Sequence, residues 1–143
     1  MDDRIARVLD RKARPVECTV VYTTVYDAVA HMDAERIGAL VVTDGERVVG
    51  ILTERDVLTR VIARELDPHA TAVGEVMTRH PITISTSTTV AEALQLAVEH
   101  DCHHLPVVDS NGLRGLISSG DLTSWLLYTA GAEPARSPDT HRP

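Results

Sequence analysis

A repeat at a fixed offset constrains this chain more than any other feature of its sequence. A shift of 65 residues lays IGALVVTDGERVVGILTERDVLTRVI, which begins at Ile37, over CHHLPVVDSNGLRGLISSGDLTSWLL, which begins at Cys102. One register holds from residue 25 to residue 62 and places Asp56 over Asp121. Further upstream we expect the register to slip by one to three residues. Two copies of one supersecondary unit are therefore expected to build the fold.

Each copy shows the pattern of a βαββα unit. Apolar residues alternate or run together in the β-rich stretches and recur at helical spacing in the others. Thr89 followed by Glu92 is a capping-box signature, and Thr24 with Asp27 is its weaker counterpart. The predicted strands are 16–23, 39–43, 48–52, 82–87, 105–109 and 113–117, and the predicted helices are 25–35, 54–64, 90–101 and 119–129. The sequence thus predicts an α/β (α+β) fold made of two tandem repeats.

The remaining segments set the predicted boundaries. Repeat 1 is expected to span 1–66, and its first eight residues are expected to form a short helix, because Ile5, Val8 and Leu9 fall on one face. A linker at 67–74 contains a proline and a glycine, and repeat 2 is expected to span 75–130. The tail at 131–143 contains three prolines and almost nothing apolar, so it is predicted to be disordered.

Charge and cysteine content narrow the function classes. The chain has 21 acidic residues against 14 basic ones, a formal net charge of −7, unlike the basic face of a nucleic-acid binder. Cys18 and Cys102 form no CxxC motif, which is typical of a reducing compartment. The charged start lacks an apolar signal core, and no run approaches the ~20 apolar residues of a membrane span. We therefore expect a cytoplasmic protein that binds neither nucleic acid nor a membrane.

Two strand-to-helix junctions carry the residues with the clearest chemistry. Thr53 is followed three residues later by Asp56, and Ser118 by Asp121. Free backbone N–H groups at a helix start bind anions such as phosphate, and a carboxylate one turn on can accept ribose hydroxyls. The same spacing is also a helix N-cap arrangement, in which hydroxyl and acid bond the backbone. Both roles stay open, because a ligand can replace the partner of the cap.

The motifs resemble those of a tandem pair of cystathionine-β-synthase (CBS) domains. They are GILTERD at 50–56, GLISSGD at 115–121, VMTRHP at 76–81 and HHLPVVD at 103–109. The resemblance covers about residues 8–130. It implies two repeats packed with pseudo-twofold symmetry, with two clefts that accept adenine nucleotides or adenosyl compounds. It also implies a homodimer.

The resemblance further implies which residues contact the ligand. The hydroxyls, the acids and their neighbours would hold phosphate and ribose, while apolar positions on the first strand and the hairpin would hold the base. The implied ligand-binding residues are Thr53, Arg55, Asp56, Gly38, Ala39, Val20 and Val21 in repeat 1, and Ser118, Ser119, Asp121, Thr83, Ile84, His104, Leu105 and Pro106 in repeat 2. For the apolar members plain core packing is the alternative, and for Arg55 it is a solvated surface position.

The sequence therefore predicts a standalone, non-enzymatic regulatory module. AMP, ADP, ATP or S-adenosylmethionine would bind in a cleft between the repeats, as a regulatory ligand and not as a required cofactor. The conformational change would signal to a protein partner in trans. The alternative is a structural, dimerisation or protein-interaction module without a ligand.

Catalysis and metal binding are both disfavoured by the pattern. The chain has no GxSxG, Walker A or HExxH motif, so no catalytic residue is expected. The stretch HDCHH at 100–104 contains good zinc ligands, but it spans a predicted helix end and strand start, so its side chains should diverge. We expect no metal site.

Overall fold

The computed structural model describes residues 3–131 of the 143-residue chain. Apart from Gly131, the tail predicted to be disordered lies outside these residues. The chain forms two compact units, one of Val16–Pro81 and the other of Met1–Pro15 with Ile82–Pro143, as far as these are described. The predicted boundaries follow the repeats along the chain. Each unit, in contrast, also includes the first part of the other repeat, which we call the lead-in segment of that repeat: residues 3–15 for repeat 1 and residues 73–81 for repeat 2. Where each repeat begins and ends stays a prediction.

The secondary structure is a mixed α+β arrangement that follows the duplicated pattern. Within the described residues the elements are α1 (Ile5–Lys12), β1 (Cys18–Thr19), α2 (Val25–Glu35), β2 (Ala39–Asp44), β3 (Arg47–Thr53), α3 (Glu54–Val57), a π-helical turn (Leu58–Ile62), α4 (Val73–Val76), β4 (Thr78–Arg79), α5 (Val90–Glu99), β5 (His104–Asp109), β6 (Gly112–Ser118) and α6 (Ser119–Thr129). The α+β fold of two repeats expected from the sequence is confirmed.

The two hairpins have the same register. Val42 lies opposite Gly50 in the β2–β3 pair, and Val107 lies opposite Gly115 in the β5–β6 pair. A register shift follows directly after each of these valines. In each hairpin the second strand therefore ends in the same way, at the hydroxyl residue, Thr53 or Ser118, that caps the next helix.

The expected slip in register is absent from the first strands. It occurs further upstream, where the equivalent bridges of Arg4 to Thr89 and of Ala72 to Thr24 place Arg4 and Ala72 68 residues apart. β1 pairs in parallel with β2 through Thr19 and Val42, and an isolated parallel bridge joins Ile84 to Val107. Both pairings keep the 65-residue offset. The first strands are nevertheless much shorter than the predicted 16–23 and 82–87, because the backbone soon turns to other partners. The carbonyl of Val21, for example, accepts a hydrogen bond from Gly74 N at 2.9 Å.

Three further elements differ from prediction. The helix predicted at 54–64 is α3 followed by a π-helical turn, in which Ala63 N donates to Leu58 O at 2.9 Å. The predicted linker at 67–74 contains the first residues of α4. The N-terminal helix ends at Lys12, beyond the first eight residues.

The core of the Val16–Pro81 unit packs α2, α4 and the π-helical turn against the four-stranded sheet β1-β2-β3-β4. Its fully buried members include Val25, Leu40, Leu52, Val61 and Val73. Val73 N donates to Thr23 O at 2.8 Å, which fixes the start of α4 beside the start of α2. Residues 73–79 are thus part of this unit's structure.

The other unit has the equivalent arrangement around the β5–β6 hairpin. α1 contributes Ile5 and Val8 to a core that also contains Leu105, Ile117 and Leu122. Ile5 N donates to Thr88 O at 2.8 Å, and Val90 N donates to Asp3 O at 2.9 Å. The capping box predicted for α5 is present, with Thr89 N donating to Glu92 Oε1 at 2.9 Å.

Candidate functional site

The first junction is a complete capping box. Thr53 ends β3, and its Oγ1 accepts a hydrogen bond from Asp56 N at 3.2 Å. In return Asp56 Oδ2 accepts from Thr53 N at 3.0 Å. Glu54 N donates to Gly38 O at 3.0 Å, so the first helical N–H also has a partner. The N-cap role predicted as an alternative is therefore realised here.

The second oxygen of Asp56 is engaged by the lead-in segment of repeat 2. Thr78 Oγ1 donates to Asp56 Oδ1 at 3.0 Å, and Arg60 Nε lies 3.8 Å from the same oxygen. Arg60 also donates to the carbonyls of Val76 and Met77 at 3.1 and 2.9 Å. The side chain of Asp56 is only 7% exposed, so these contacts enclose the acid almost completely.

The second junction repeats the capping box on a longer helix. Ser118 Oγ accepts from Asp121 N at 3.1 Å, and Asp121 Oδ2 accepts from Ser118 N at 2.8 Å. Ser119 N donates to His103 O at 2.9 Å, which is the counterpart of the Glu54–Gly38 contact. His103 Nδ1 also lies 3.3 Å from Ser119 Oγ. The hydroxyl and the acid are thus brought together in both repeats.

At the second junction a lysine donates to the acid, whereas in repeat 1 the acid accepts from the hydroxyl of Thr78. Lys12 Nζ donates to Asp121 Oδ2 at 2.8 Å and to Leu116 O at 2.6 Å. In repeat 1 the strand position equivalent to Leu116 is Ile51, which pairs with Thr78 of β4. Asp121 remains more accessible than Asp56, with 23% of its side chain exposed.

The residues expected to hold a base differ widely in exposure. Ala39, Ile84, Leu105 and Pro106 are buried, whereas Thr83 and Val21 are exposed. Arg55, which was expected beside the phosphate, is also exposed. Gly38 and Val20 are partly buried. Ile84 N donates to Pro106 O at 3.0 Å, which joins the first strand of repeat 2 to its hairpin. The side chains of the buried members are therefore largely inaccessible from outside their units.

His104 is partly buried at the first position of β5. Burial lowers the pKa of His104 from 6.5 to about 4, and the positive charges of His103 and Lys12 act in the same direction. The carboxylate of Asp121 opposes them. At neutral pH His104 is therefore uncharged beside the second junction.

The family model described as "CBS domain" matches this chain twice, at residues 12–63 and 73–128. The chain belongs to the CBS domain family. Each match contains one of the two junctions described above, so the CBS repeats coincide with the duplicated βαββα pattern.

Known CBS proteins resemble the chain in sequence and in fold. A CBS domain-containing protein of Arabidopsis thaliana is 42% identical over 105 residues, which are 73% of this chain and 19% of that protein. A solved structure, a putative signal-transduction protein with CBS domains from Burkholderia ambifaria, is 37% identical with a TM-score of 0.83, and covers 94% of this chain and 99% of its own. A CBS domain protein from Pyrobaculum aerophilum, complexed with AMP, is 29% identical with a TM-score of 0.76, covering 90% and 99%.

The chain spans about a fifth of the length of the first curated relatives that it matches. What those longer proteins do as a whole therefore does not transfer to this CBS pair. No described helix is long and apolar enough to cross a membrane. Within residues 3–131, no three His, Cys, Asp or Glu side chains come together as a metal site.

Sequence reasoning missed three partners of the acids, Lys12, Thr78 and Arg60. Arg60 lies four residues after Asp56, a spacing that could have indicated the pair. Lys12 and Thr78 are distant in sequence from the acids that they contact, and no local spacing indicates them. The 65-residue offset could also have located the first strand of repeat 1 more accurately. Counting back 65 residues from Thr83 and Ile84 gives Cys18 and Thr19, the residues of β1, which lie just before the predicted Val20 and Val21.

Proposed function

We propose that this CBS pair is a regulatory module that binds an adenine nucleotide or adenosyl ligand at its two strand-to-helix junctions. The observation that carries the proposal is the in-register duplication of a hydroxyl and an acid at these junctions in a member of the CBS family. The AMP complex of the Pyrobaculum aerophilum relative supports the ligand class. AMP, ADP, ATP and S-adenosylmethionine share the adenosine that such a site recognises.

The binding chemistry we propose divides the ligand between the residues of one junction. The carboxylate of Asp121 or Asp56 accepts the ribose hydroxyls, and the hydroxyl of Ser118 or Thr53 donates toward a phosphate or its equivalent. The adenine lies along the edge formed by the first strand and the hairpin, near Ile84 and Pro106 in repeat 2. Arg55 and Ser119 are proposed to contribute polar contacts beside the acids.

The module acts without catalysis in this proposal. A ligand shifts the conformation only by binding one state better than another, and a protein partner or a second copy of the chain reads that change. The support is the family, whose relative from Burkholderia ambifaria is described as a putative signal-transduction protein. A cytoplasmic location and a homodimer remain predictions from the sequence.

One observation favours the second candidate, an interaction module that has no ligand. Both acids already have protein partners, and both capping boxes are complete. In that case Asp56 and Asp121 serve only the fold. The two candidates differ in whether an adenine nucleotide changes the stability of the purified protein.

Thermal unfolding of the purified chain with each ligand separates the two candidates. At 100 times its dissociation constant a ligand adds about 2.7 kcal/mol, which raises the Tm of a chain of this size by roughly 5–10 °C. We expect such a rise with at least one of AMP, ADP, ATP and S-adenosylmethionine. Asp121→Ala should reduce it, because the carboxylate that accepts the ribose is gone.

The matched control is Asp33→Ala, which removes an exposed acid from α2. It should keep the full ligand-induced rise in Tm. The ligand-free interaction module is favoured if no nucleotide at millimolar concentration changes the Tm of the wild-type chain.

A further inference from the structure

Lys12 connects the end of α1 to the acid of the second junction. It is the last residue of α1 and the only lysine of the chain. Its ammonium donates to Asp121 Oδ2 at 2.8 Å and to Leu116 O at 2.6 Å. The two charged side chains are 25% and 23% exposed. The ion pair therefore fixes the end of α1 against the start of α6 in a partly desolvated place.

The contact competes with the role proposed for Asp121. The oxygen that Lys12 engages already accepts the capping hydrogen bond from Ser118 N. A ribose that approaches this carboxylate meets an acceptor that is neutralised by an ammonium and largely covered. To gain two good hydrogen bonds from its hydroxyls, the ligand has to displace Lys12 or share the carboxylate with it.

At the first junction Asp56 has different partners. There Thr78 provides a neutral hydroxyl at 3.0 Å from Asp56, and Arg60 Nε stays at 3.8 Å from the acid. Arg60 lies one turn after Asp56 in the same unit and belongs to no lead-in helix. The two junctions thus differ in what must move when a ligand binds.

We propose that Lys12 is a latch on the second ligand site, closed by Asp121 in the free protein and opened by a bound ribose. The latch rests on the proposed function and adds its regulation. Partly exposed ion pairs contribute little net stability, so a ligand of ordinary affinity can open the latch. Opening releases the end of α1, which makes that helix the element that reports occupancy of the site.

Linkage requires that removing the latch strengthens ligand binding. In Lys12→Met the side chain keeps a similar length and loses its charge, so the ligand no longer competes with an ammonium. Isothermal titration with AMP should give an affinity about two to five times higher than that of the wild type, the range that a partly exposed ion pair accounts for. Arg7→Met removes an exposed charge from the same helix and should leave the affinity unchanged.

The single lysine provides a second readout that is specific to the latch. Acetylation by an amine-reactive ester, followed by peptide mass spectrometry, reports how accessible the ammonium of Lys12 is. Saturating AMP should raise the labelling rate of Lys12 several-fold. Asp121→Asn should raise it without any nucleotide, because the neutral amide no longer holds the ammonium.

The outcomes separate the latch from the function on which it rests. If AMP binds wild type and Lys12→Met with equal affinity, or if AMP slows the acetylation of Lys12, the latch is wrong and the nucleotide site stands. Weaker binding by Lys12→Met makes Lys12 a ligand contact and also overturns the latch. If neither protein binds any adenine nucleotide, the proposed function fails and the latch fails with it.

Discussion

At the scale of one residue, the surroundings of His104 at the second junction keep its imidazole uncharged. The residue is neutral at pH 7 because burial lowers its pKa to about 4, with His103 and Lys12 opposing its protonation further. In the unfolded chain its pKa returns to the ordinary value near 6.5. The unfolded state therefore takes up a proton first as the pH falls.

The stability of the protein should depend on this difference. The contribution of neutral, buried His104 to the free energy of unfolding is complete above pH 6.5 and is lost progressively as the pH falls toward 4. Between pH 7.5 and 5 we expect the free energy of unfolding to fall by roughly 2 kcal/mol more in the wild type than in His104→Gln. Urea denaturation at both pH values measures this double difference.

The control for that measurement is His100→Gln, which removes an exposed histidine a few residues away. It should show the same loss of stability as the wild type. Parallel pH dependences for the wild type and His104→Gln would contradict the account of His104.

Single residues also mark the limit of what the sequence predicts. The pairs Thr53–Asp56 and Ser118–Asp121 follow from spacing, because a capping box bonds residues three apart along one helix start. The contacts from Lys12 and Thr78 to these acids depend on how distant segments pack. No sequence pattern around Asp121 indicates a partner 109 residues away.

At the scale of elements, local signals predicted the helices best. The predicted bounds of α2 and α6 agree with Val25–Glu35 and Ser119–Thr129, because a capping residue fixes each start and periodic apolar residues follow. The π-helical turn after α3 was missed, since nothing in residues 54–64 distinguishes it from a continuing α-helix. β4 was missed because a two-residue strand has no periodicity.

The close approach of the lead-in segments to the hairpins explains the two motif glycines. A Cβ at Gly50 would lie 2.6 Å from Met77 Sδ and 2.9 Å from Thr78 O. A Cβ at Gly115 would lie 2.6 Å from Leu9 Cδ2, the end of a flexible side chain. Both glycines leave room for the segment that covers the strand, but only Gly50 faces a backbone atom at that distance.

We therefore expect Gly50→Ala to destabilise the protein more than Gly115→Ala. Overpacking against backbone costs about 2–3 kcal/mol, whereas a side chain that can move reduces the cost to about 1 kcal/mol. Chemical denaturation of the two variants measures the difference. Each is the control for the other, and equal losses of stability would contradict the packing described here.

At the scale of the whole molecule, the duplication was predictable because it rests on two in-register copies rather than one motif. The family followed from the same residues and is confirmed by the two CBS matches. Which residues belong to each compact unit was harder to predict. Residues 73–79 pack with repeat 1 and residues 5–12 with repeat 2, and only the three-dimensional arrangement reveals these assignments.

A titration of the isotopically labelled chain with AMP, followed by amide NMR, tests the central claim most directly. The account predicts that the largest shifts occur at the helix starts, in the amides of residues 53–56 and 118–121, and that the amide of Lys12 shifts as the latch opens. An unchanged spectrum at millimolar AMP, or shifts confined to residues far from both junctions, would contradict it.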